Sequence, residues 1–106
     1  MFSMFKKNSQ NQIAVSEIEA LLGKIDLIDI REVNEYKTGH VPKAKNIPMN
    51  TLLGQPDKYL KKESVYHIIC QSGGRSRGAA QHLTRLGFQI VDVLGGTGKY
   101  PGKLDR

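Results

Sequence analysis

The feature that most constrains the fold is a regular alternation of short apolar runs with segments of helical character. The runs have the length that is typical of strands rather than of helices. Strands that are joined through a helix normally lie parallel in one sheet. The pattern therefore predicts an α/β domain with three layers, in which a central, mostly parallel five-stranded sheet is flanked by helices. The predicted strands are residues 12–15, 26–30, 44–47, 65–69 and 89–93.

Length and cysteine content limit the domain organisation. A chain of 106 residues supports one domain with one hydrophobic core. We expect residues 12–106 to form that domain, after a flexible lead-in at residues 1–11. Because Cys70 is the single cysteine, an internal disulfide and a multi-cysteine zinc site are both excluded. The apolar and then basic start is too short to span a bilayer, and the expected location is the cytoplasm.

Local signals predict where several helices and turns begin and end. Ser16 and Glu19 have the spacing of a capping box, which predicts a helix start. Gly87 followed by Phe88 predicts that the helix over residues 76–86 ends in a Schellman motif. The glycine-rich residues 95–98 are expected to be flexible.

The candidate site lies where the most apolar strand ends. Cys70 directly follows residues 65–69, and active sites of parallel α/β sheets gather at this end of the strands. Gly73 and Gly74 allow the next residues to curl, so that successive backbone N–H groups point into one concavity. Together with the start of the following helix, such a concavity stabilises an anion. The pattern therefore predicts that Cys70 reacts as a thiolate nucleophile.

The polar residues after Cys70 have predicted roles in the same loop. Arg75 either binds an anionic substrate group or braces the loop by donating to carbonyl oxygens. Ser76 caps the helix and donates into the loop. The alternative is that Cys70 is a small buried apolar residue, but two glycines, an arginine and a helix start favour catalysis or anion binding. The expected substrate-binding residues are Gln71, Ser72, Gly73, Gly74, Arg75 and Ser76.

The loop from Cys70 to Ser76 resembles the active-site loop of rhodanese-like sulfurtransferases. A second stretch is similar to another segment of that family, with its D-x-R, E-[YF], G-H-[IV]-P-x-A and N-[IL]-P patterns. Gly95 and Gly96, after an apolar strand, form a third and weaker match. The resemblance covers roughly residues 12–100. The second stretch consists of Asp29 to Glu32, Glu35 and Tyr36, Gly39 to Ala44, and Asn46 to Pro48.

The resemblance implies a sulfurtransferase without a cofactor. In that family the thiolate, here that of Cys70, takes the outer sulfur of thiosulfate or of a low-molecular-weight persulfide. The resulting cysteine persulfide passes its sulfur to cyanide or to a thiol, and a protein can also be the acceptor. Two-step covalent catalysis of this kind predicts ping-pong kinetics.

Three positions depart from the family pattern. Lys43 stands where the family often has glycine, and Gln71 stands where it often has a basic residue. A tryptophan that often follows the glycine pair, here Gly95 and Gly96, is absent, and Tyr100 is expected to fill part of its role. The missing basic residue beside Cys70 predicts weaker thiosulfate binding and favours a neutral or larger persulfide donor.

Three other functions compete with sulfur transfer. A cysteine phosphatase or arsenate reductase has five residues between cysteine and arginine, whereas four separate Cys70 from Arg75 and six separate it from Arg77. A non-catalytic rhodanese-like binding module stays an alternative, although such modules usually lack the cysteine. Nucleic-acid binding is suggested by the net charge of +6, but the lysines are scattered and no aromatic motif interleaves with them.

Charged residues and histidines outside the loop are expected to have structural roles. Asp29, Arg31 and Glu35 are predicted to form a buried or rim charge network at the pocket entrance. His40 is expected to be a hydrogen-bonded turn residue. A metal held by Cys70, His67 and His40 would block the nucleophile, so no metal site is expected.

Overall fold

The computed structural model describes residues 11–106, which form one five-stranded sheet. The strands are β1 (Asn11–Ala14), β2 (Asp26–Asp29), β3 (Lys45–Asn46), β4 (Val65–Ile69) and β5 (Gln89–Leu94). Their order in the sheet is β1-β5-β4-β2-β3, and every neighbouring pair is parallel. The predicted parallel α/β sheet is therefore confirmed, and the strand that precedes Cys70 is the central one.

Helices cover both faces of the sheet, which gives the three predicted layers. On one face Leu52, Ala79 and Leu83 pack against the sheet in the larger of two apolar clusters. On the other face Val15 and Ile18 belong to the smaller cluster. The helices are α1 (Val33–Thr38), α2 (Met49–Gly54), α3 (Pro56–Tyr59) and α4 (Gly74–Arg85), with short 3₁₀ helices at Val15–Glu17, Glu19–Leu21 and Thr97–Lys99.

Strand β4 directs Cys70 toward α4. Side chains alternate between the two faces of a strand, so Cys70 shares a face with Tyr66 and Ile68. All three belong to the larger cluster, whereas Ile69 belongs to the smaller one. Cys70 therefore follows the central strand at its carboxyl end, on the face where α4 begins.

The predicted helix signals were correct at one end of the domain and wrong at the other. The N–H of Phe88 donates to the Leu83 carbonyl at 3.1 Å and that of Gly87 to Thr84 at 3.0 Å, which is the predicted Schellman motif. The predicted helix start at Ser16 is wrong. This region forms two 3₁₀ turns without a side-chain cap.

The capping box of this fold lies instead at the start of α1. There the Glu32 and Glu35 side chains and backbone N–H groups pair reciprocally. The predicted lead-in falls almost entirely on residues 1–10, which lie outside the described residues. In residues 11–106, none of the helices has the length and apolar character needed to cross a bilayer.

Candidate active site

The sulfur of Cys70 is held by two backbone amides. The N–H of Gly73 donates to Sγ at 3.1 Å, and the N–H of Ser76 donates to it at 3.3 Å. Cys70 is only 1% exposed, so few water molecules can compete with these donors. Fixed N–H donors of this kind can stabilise negative charge that develops on a sulfur atom during a reaction.

The backbone of the loop turns sharply so that both amides reach the sulfur. Gly73 has a φ of +108° and is the residue that precedes α4. This left-handed conformation is easily reached by glycine and strained for other residues. The amide of Ser76 lies in the first turn of α4, where helix N–H groups have no partner within the helix. Residues 70–76, called the cysteine loop below, thus combine a turn and a helix start around one sulfur atom.

The glycine-rich segment after β5 is hydrogen-bonded to the backbone of the cysteine loop. The N–H of Thr97 donates to the Cys70 carbonyl at 2.8 Å, and that of Gly98 donates to the Gln71 carbonyl at 3.0 Å. Gly96 lies so close to the cysteine loop that an added Cβ would be 2.4 Å from the backbone carbonyl oxygen of Gln71. We call residues 95–98 the glycine strap. The expected flexible segment is therefore hydrogen-bonded to the loop that carries the cysteine.

Arg75 is engaged by an acidic residue of α1. Its Nη1 and Nη2 atoms donate to the two carboxylate oxygens of Glu35 at 2.9 and 3.0 Å. The hydrogen bond from Arg75 is the main reason why the pKa of Glu35 falls from 4.5 to about 2, and the same bond raises the pKa of Arg75. Arg75 thus ties the cysteine loop to α1 through a carboxylate, whereas the sequence predicted that it binds either an anionic substrate group or the loop carbonyls.

A second arginine connects the end of β2 to the same loop. Arg31 is 2% exposed, and its Nε donates to both carboxylate oxygens of Asp29 at 3.0 and 3.1 Å. Its Nη1 donates to Oε1 of Gln71 at 3.0 Å, and its Nη2 donates to the carbonyl of Gly39 at 2.7 Å. The predicted network of Asp29, Arg31 and Glu35 is therefore two separate pairs, since Glu35 pairs with Arg75.

The remaining predicted residues lie around the loop. His40 is stacked on Tyr36 with ring centroids 3.7 Å apart, and its Nδ1 is 2.9 Å from the Tyr36 carbonyl oxygen, as expected for a turn histidine. Ser72 is exposed and Gly74 lies beside it at the surface. Together with Gly73 they line a cleft of about 400 Å³, whose other lining residues are Gln12, Arg77, Leu94 and Gly95.

Ser76 and Asp92 form a contact that sequence reasoning missed. The Oγ of Ser76 lies 2.6 Å from Oδ1 of Asp92, and no side-chain cap of α4 is formed. Both residues are 0% exposed. The signal was a single acidic residue among the apolar residues of β5. The alternation of faces along that strand could have assigned Asp92 to the side that packs on α4.

The three residues that were candidate metal ligands are not brought together. Cys70 accepts from the loop amides, and His67 lies in the middle of β4 on the opposite face. In the part of the chain that the structure describes, no three His, Cys, Asp or Glu side chains form a group that could hold a metal ion.

Comparisons with known proteins place the chain in a family. The family model described as "Rhodanese-like domain" matches residues 14–100. The "Adenylyltransferase and sulfurtransferase uba4" of Ogataea parapolymorpha is 34% identical over 80 residues, which are 74% of this chain and 21% of that protein. YrkF of Bacillus subtilis, named as a candidate sulfur carrier protein, is 31% identical over 92% of this chain and 57% of its own length. The chain thus spans well under two thirds of either relative.

A solved structure is similar over nearly its whole length. The rhodanese-like domain protein from Staphylococcus aureus has a TM-score of 0.77 and 29% identity, with 91% of this chain and 97% of that chain covered. The arrangement of strands and helices described above is therefore one that this family shares.

Proposed function

Since this chain belongs to the rhodanese-like domain family, we propose that it is a sulfurtransferase whose nucleophile is Cys70. The observation that carries the proposal is the pair of amide donors on the Cys70 sulfur. A nucleophilic sulfur and the persulfide that it forms are both anions, and fixed N–H donors in a site that excludes water stabilise such anions. The proposed substrates are a small sulfur donor and a thiol acceptor.

The reaction has two steps. In the first step, the Cys70 thiolate attacks the outer sulfur of the donor. A new S–S bond forms at Cys70, the donor's own bond to that sulfur breaks, and its electron pair leaves with sulfite or with the donor thiolate. In the second step, an acceptor thiolate attacks the outer sulfur of the persulfide, and Cys70 leaves as a thiolate. No external oxidant or reductant is needed, because each step exchanges one bond to sulfur for another.

The charge around the loop bears on which donor is used. Gln71 carries no charge, and its Oε1 is occupied by Arg31. The positive charge of Arg75 is balanced by the carboxylate of Glu35. Thiosulfate concentrates two negative charges on one small ion, whereas the carboxylates of a low-molecular-weight persulfide such as glutathione persulfide lie several bonds from its reacting sulfur, so we propose that this loop prefers the persulfide.

The donor preference is tested by turnover with both donors in the wild type and in Gln71→Lys. A new charge beside the nucleophile is expected to raise kcat/KM for thiosulfate by roughly tenfold and to change that for glutathione persulfide much less. Gln81→Lys, on the exposed part of α4, adds the same charge away from the loop and is the control. Faster turnover of thiosulfate than of glutathione persulfide by the wild type would contradict the proposed preference.

The transfer itself is tested by steady-state kinetics with both substrates varied. Two-step covalent transfer predicts parallel double-reciprocal lines. Cys70→Ser keeps the shape of the side chain and is expected to abolish turnover. A wild type that turns over no sulfur donor would favour a non-catalytic binding module, and hydrolysis of an aryl phosphate at Cys70 would favour the phosphatase alternative.

A further inference from the structure

Asp92 is a buried carboxyl group behind the cysteine loop that the proposed reaction does not use. It is 0% exposed, and its Oδ2 atom has no hydrogen-bond partner. Among residues 11–106, the two salt bridges are Arg31 with Asp29 and Arg75 with Glu35, so Asp92 has no cation in contact. A buried carboxylate without a cation, and with one oxygen unpaired, is a costly arrangement in a protein core.

The hydrogen bonds of Ser76 show where a proton is needed. Its Oγ lies 2.6 Å from Oδ1 of Asp92 and 3.3 Å from the carbonyl oxygen of Gly73. A carbonyl oxygen and a carboxylate oxygen both only accept, and a serine hydroxyl has one proton to donate. With an ionised Asp92, only one of the two contacts can be a hydrogen bond. With a proton on Oδ1 of Asp92, both contacts are hydrogen bonds.

We propose that Asp92 is a positioning residue that stays protonated at neutral pH and holds the cysteine loop through Ser76. The Asp92 hydroxyl donates to Ser76 Oγ, and Ser76 in turn donates to the Gly73 carbonyl. These bonds fix the two residues whose amides donate to the Cys70 sulfur. A neutral Asp92 also places no negative charge behind a sulfur that must become anionic. The effect on sulfur transfer rests on the proposed function, whereas the protonation state does not.

The surroundings of Asp92 agree with a neutral carboxyl group. Burial is the main influence, and it raises the pKa of Asp92 against the opposing effects of the Ser76 hydrogen bond and the charge of Arg77. Arg77 is exposed at the surface of α4, where solvent weakens its charge. On its two sides in the sheet, Asp92 is opposite the uncharged Gln12 of β1 and Ile68 of β4.

The other ionisable groups nearby do not offer a counter-ion. His67 of β4 is adjacent in sequence to Ile68 and therefore points to the opposite face of the sheet. Arg75 of α4 is paired with Glu35. Cys70 follows β4 on the same face as Asp92 and becomes negative when it ionises. Ionisation of both Cys70 and Asp92 would place one negative charge on each side of Ser76.

Infrared spectroscopy of the whole chain tests the protonation state directly. Ordinary Asp and Glu side chains have pKa values of about 4 and are ionised at pH 7. The wild type in D₂O at pH 7 is therefore expected to show one protonated-carboxyl C=O band, which Asp92→Asn removes. The exposed Asp57→Asn is the matched control and keeps the band. A wild type without this band, or an Asp92→Asn variant that retains it, would overturn the proposal, whatever the protein's activity.

The pH profile of sulfur transfer tests the positioning role. The amide introduced by Asp92→Asn has the shape of a neutral carboxyl group and can donate to Ser76 Oγ, so this variant is expected to keep the wild-type rate at pH 7 within about twofold. The wild-type rate should fall at alkaline pH as Asp92 ionises, and this fall should be absent in Asp92→Asn. Ser76→Ala removes the hydroxyl that joins Asp92 to the Gly73 carbonyl and should lower the rate about tenfold. This is a smaller effect than that of removing one hydrogen-bond donor from an anion-binding site. Equal losses in Asp92→Asn and Ser76→Ala would contradict the positioning role.

Discussion

Substituting Gly96 tests how strongly the glycine strap supports the cysteine loop. Gly96 has a φ of +69° and a ψ of −173°, a conformation that is essentially restricted to glycine. An added Cβ would lie 2.4 Å from the Gln71 carbonyl oxygen and 2.6 Å from that of Cys70. Both close atoms are backbone atoms, so the clash cannot be relieved by turning a side chain. Gly96→Ala must therefore move either the strap or the cysteine loop.

The expected cost has two parts. The backbone conformation costs an alanine about 1–3 kcal/mol. Overpacking against backbone adds about 1–3 kcal/mol. We therefore expect Gly96→Ala to lower the free energy of unfolding by about 4 kcal/mol, which is a large part of the total for a domain of this size. Sulfur transfer should fall further than the folded fraction, because the displaced atoms belong to Cys70 and Gln71.

The control is Gly23→Ala, and the assay is urea unfolding followed by circular dichroism. Gly23 also has a positive φ, +88°, but an added Cβ would meet nothing within 4 Å. This variant therefore carries the conformational cost alone, about 1 kcal/mol. Equal losses of unfolding free energy in Gly23→Ala and Gly96→Ala would show that the close approach of the strap has no energetic consequence, contrary to our expectation.

Three further substitutions test other parts of the structure. Among residues 11–106, Lys43 is the non-glycine residue with a positive φ, +74°, which is a strained conformation for a residue with a side chain. Lys43→Gly should therefore raise the free energy of unfolding by about 0.5–1 kcal/mol, whereas the control Lys45→Gly in β3 should lower it. Urea unfolding midpoints measure both changes, and a lower stability in both variants would contradict backbone strain at Lys43. The pKa of Glu35 is held at about 2, below its ordinary 4.5, so its pairing stabilises the fold above pH 4.5 and this contribution is lost as the pH falls toward 2. Glu35→Gln should reduce the change in unfolding free energy between pH 2 and pH 4.5 by about 1 kcal/mol or less, since the pair is partly exposed. An identical pH dependence of stability in the variant and the wild type would contradict the pairing. Arg31→Met should lower the free energy of unfolding, measured by thermal or urea unfolding, by about 3 kcal/mol, because it leaves the Asp29 carboxylate buried without its partner. An unchanged free energy of unfolding would show that the pair does not hold the end of β2.

The sheet and the position of Cys70 at the end of its central strand could be predicted from sequence because both follow from local patterns. The run at residues 65–69 is rich in β-branched and aromatic residues, and a strand buried on both faces has this kind of composition. It proved to be the central strand. Gly87 ended α4 as predicted, since a Schellman motif depends on a few neighbouring residues.

The contacts that hold the cysteine loop could not be predicted in the same way, because they join residues far apart in the chain. Arg75 had several partners open to it, and the partner it takes, Glu35 of α1, lies 40 residues earlier in the chain. The role of Asp92 depends on β5 lying beside β4, which the order of strands along the chain does not reveal. At Ser16 a valid local signal failed, and residues 15–21 form two 3₁₀ turns without a side-chain cap.

Intact-mass spectrometry after incubation with glutathione persulfide or thiosulfate shows whether Cys70 carries sulfur. We predict that the wild type gains the mass of one sulfur atom on Cys70, that excess thiol removes it, and that Cys70→Ser gains none. If no donor adds a sulfur atom to Cys70, or if Cys70→Ser still transfers sulfur from donor to acceptor, then Cys70 is not the sulfur-carrying nucleophile.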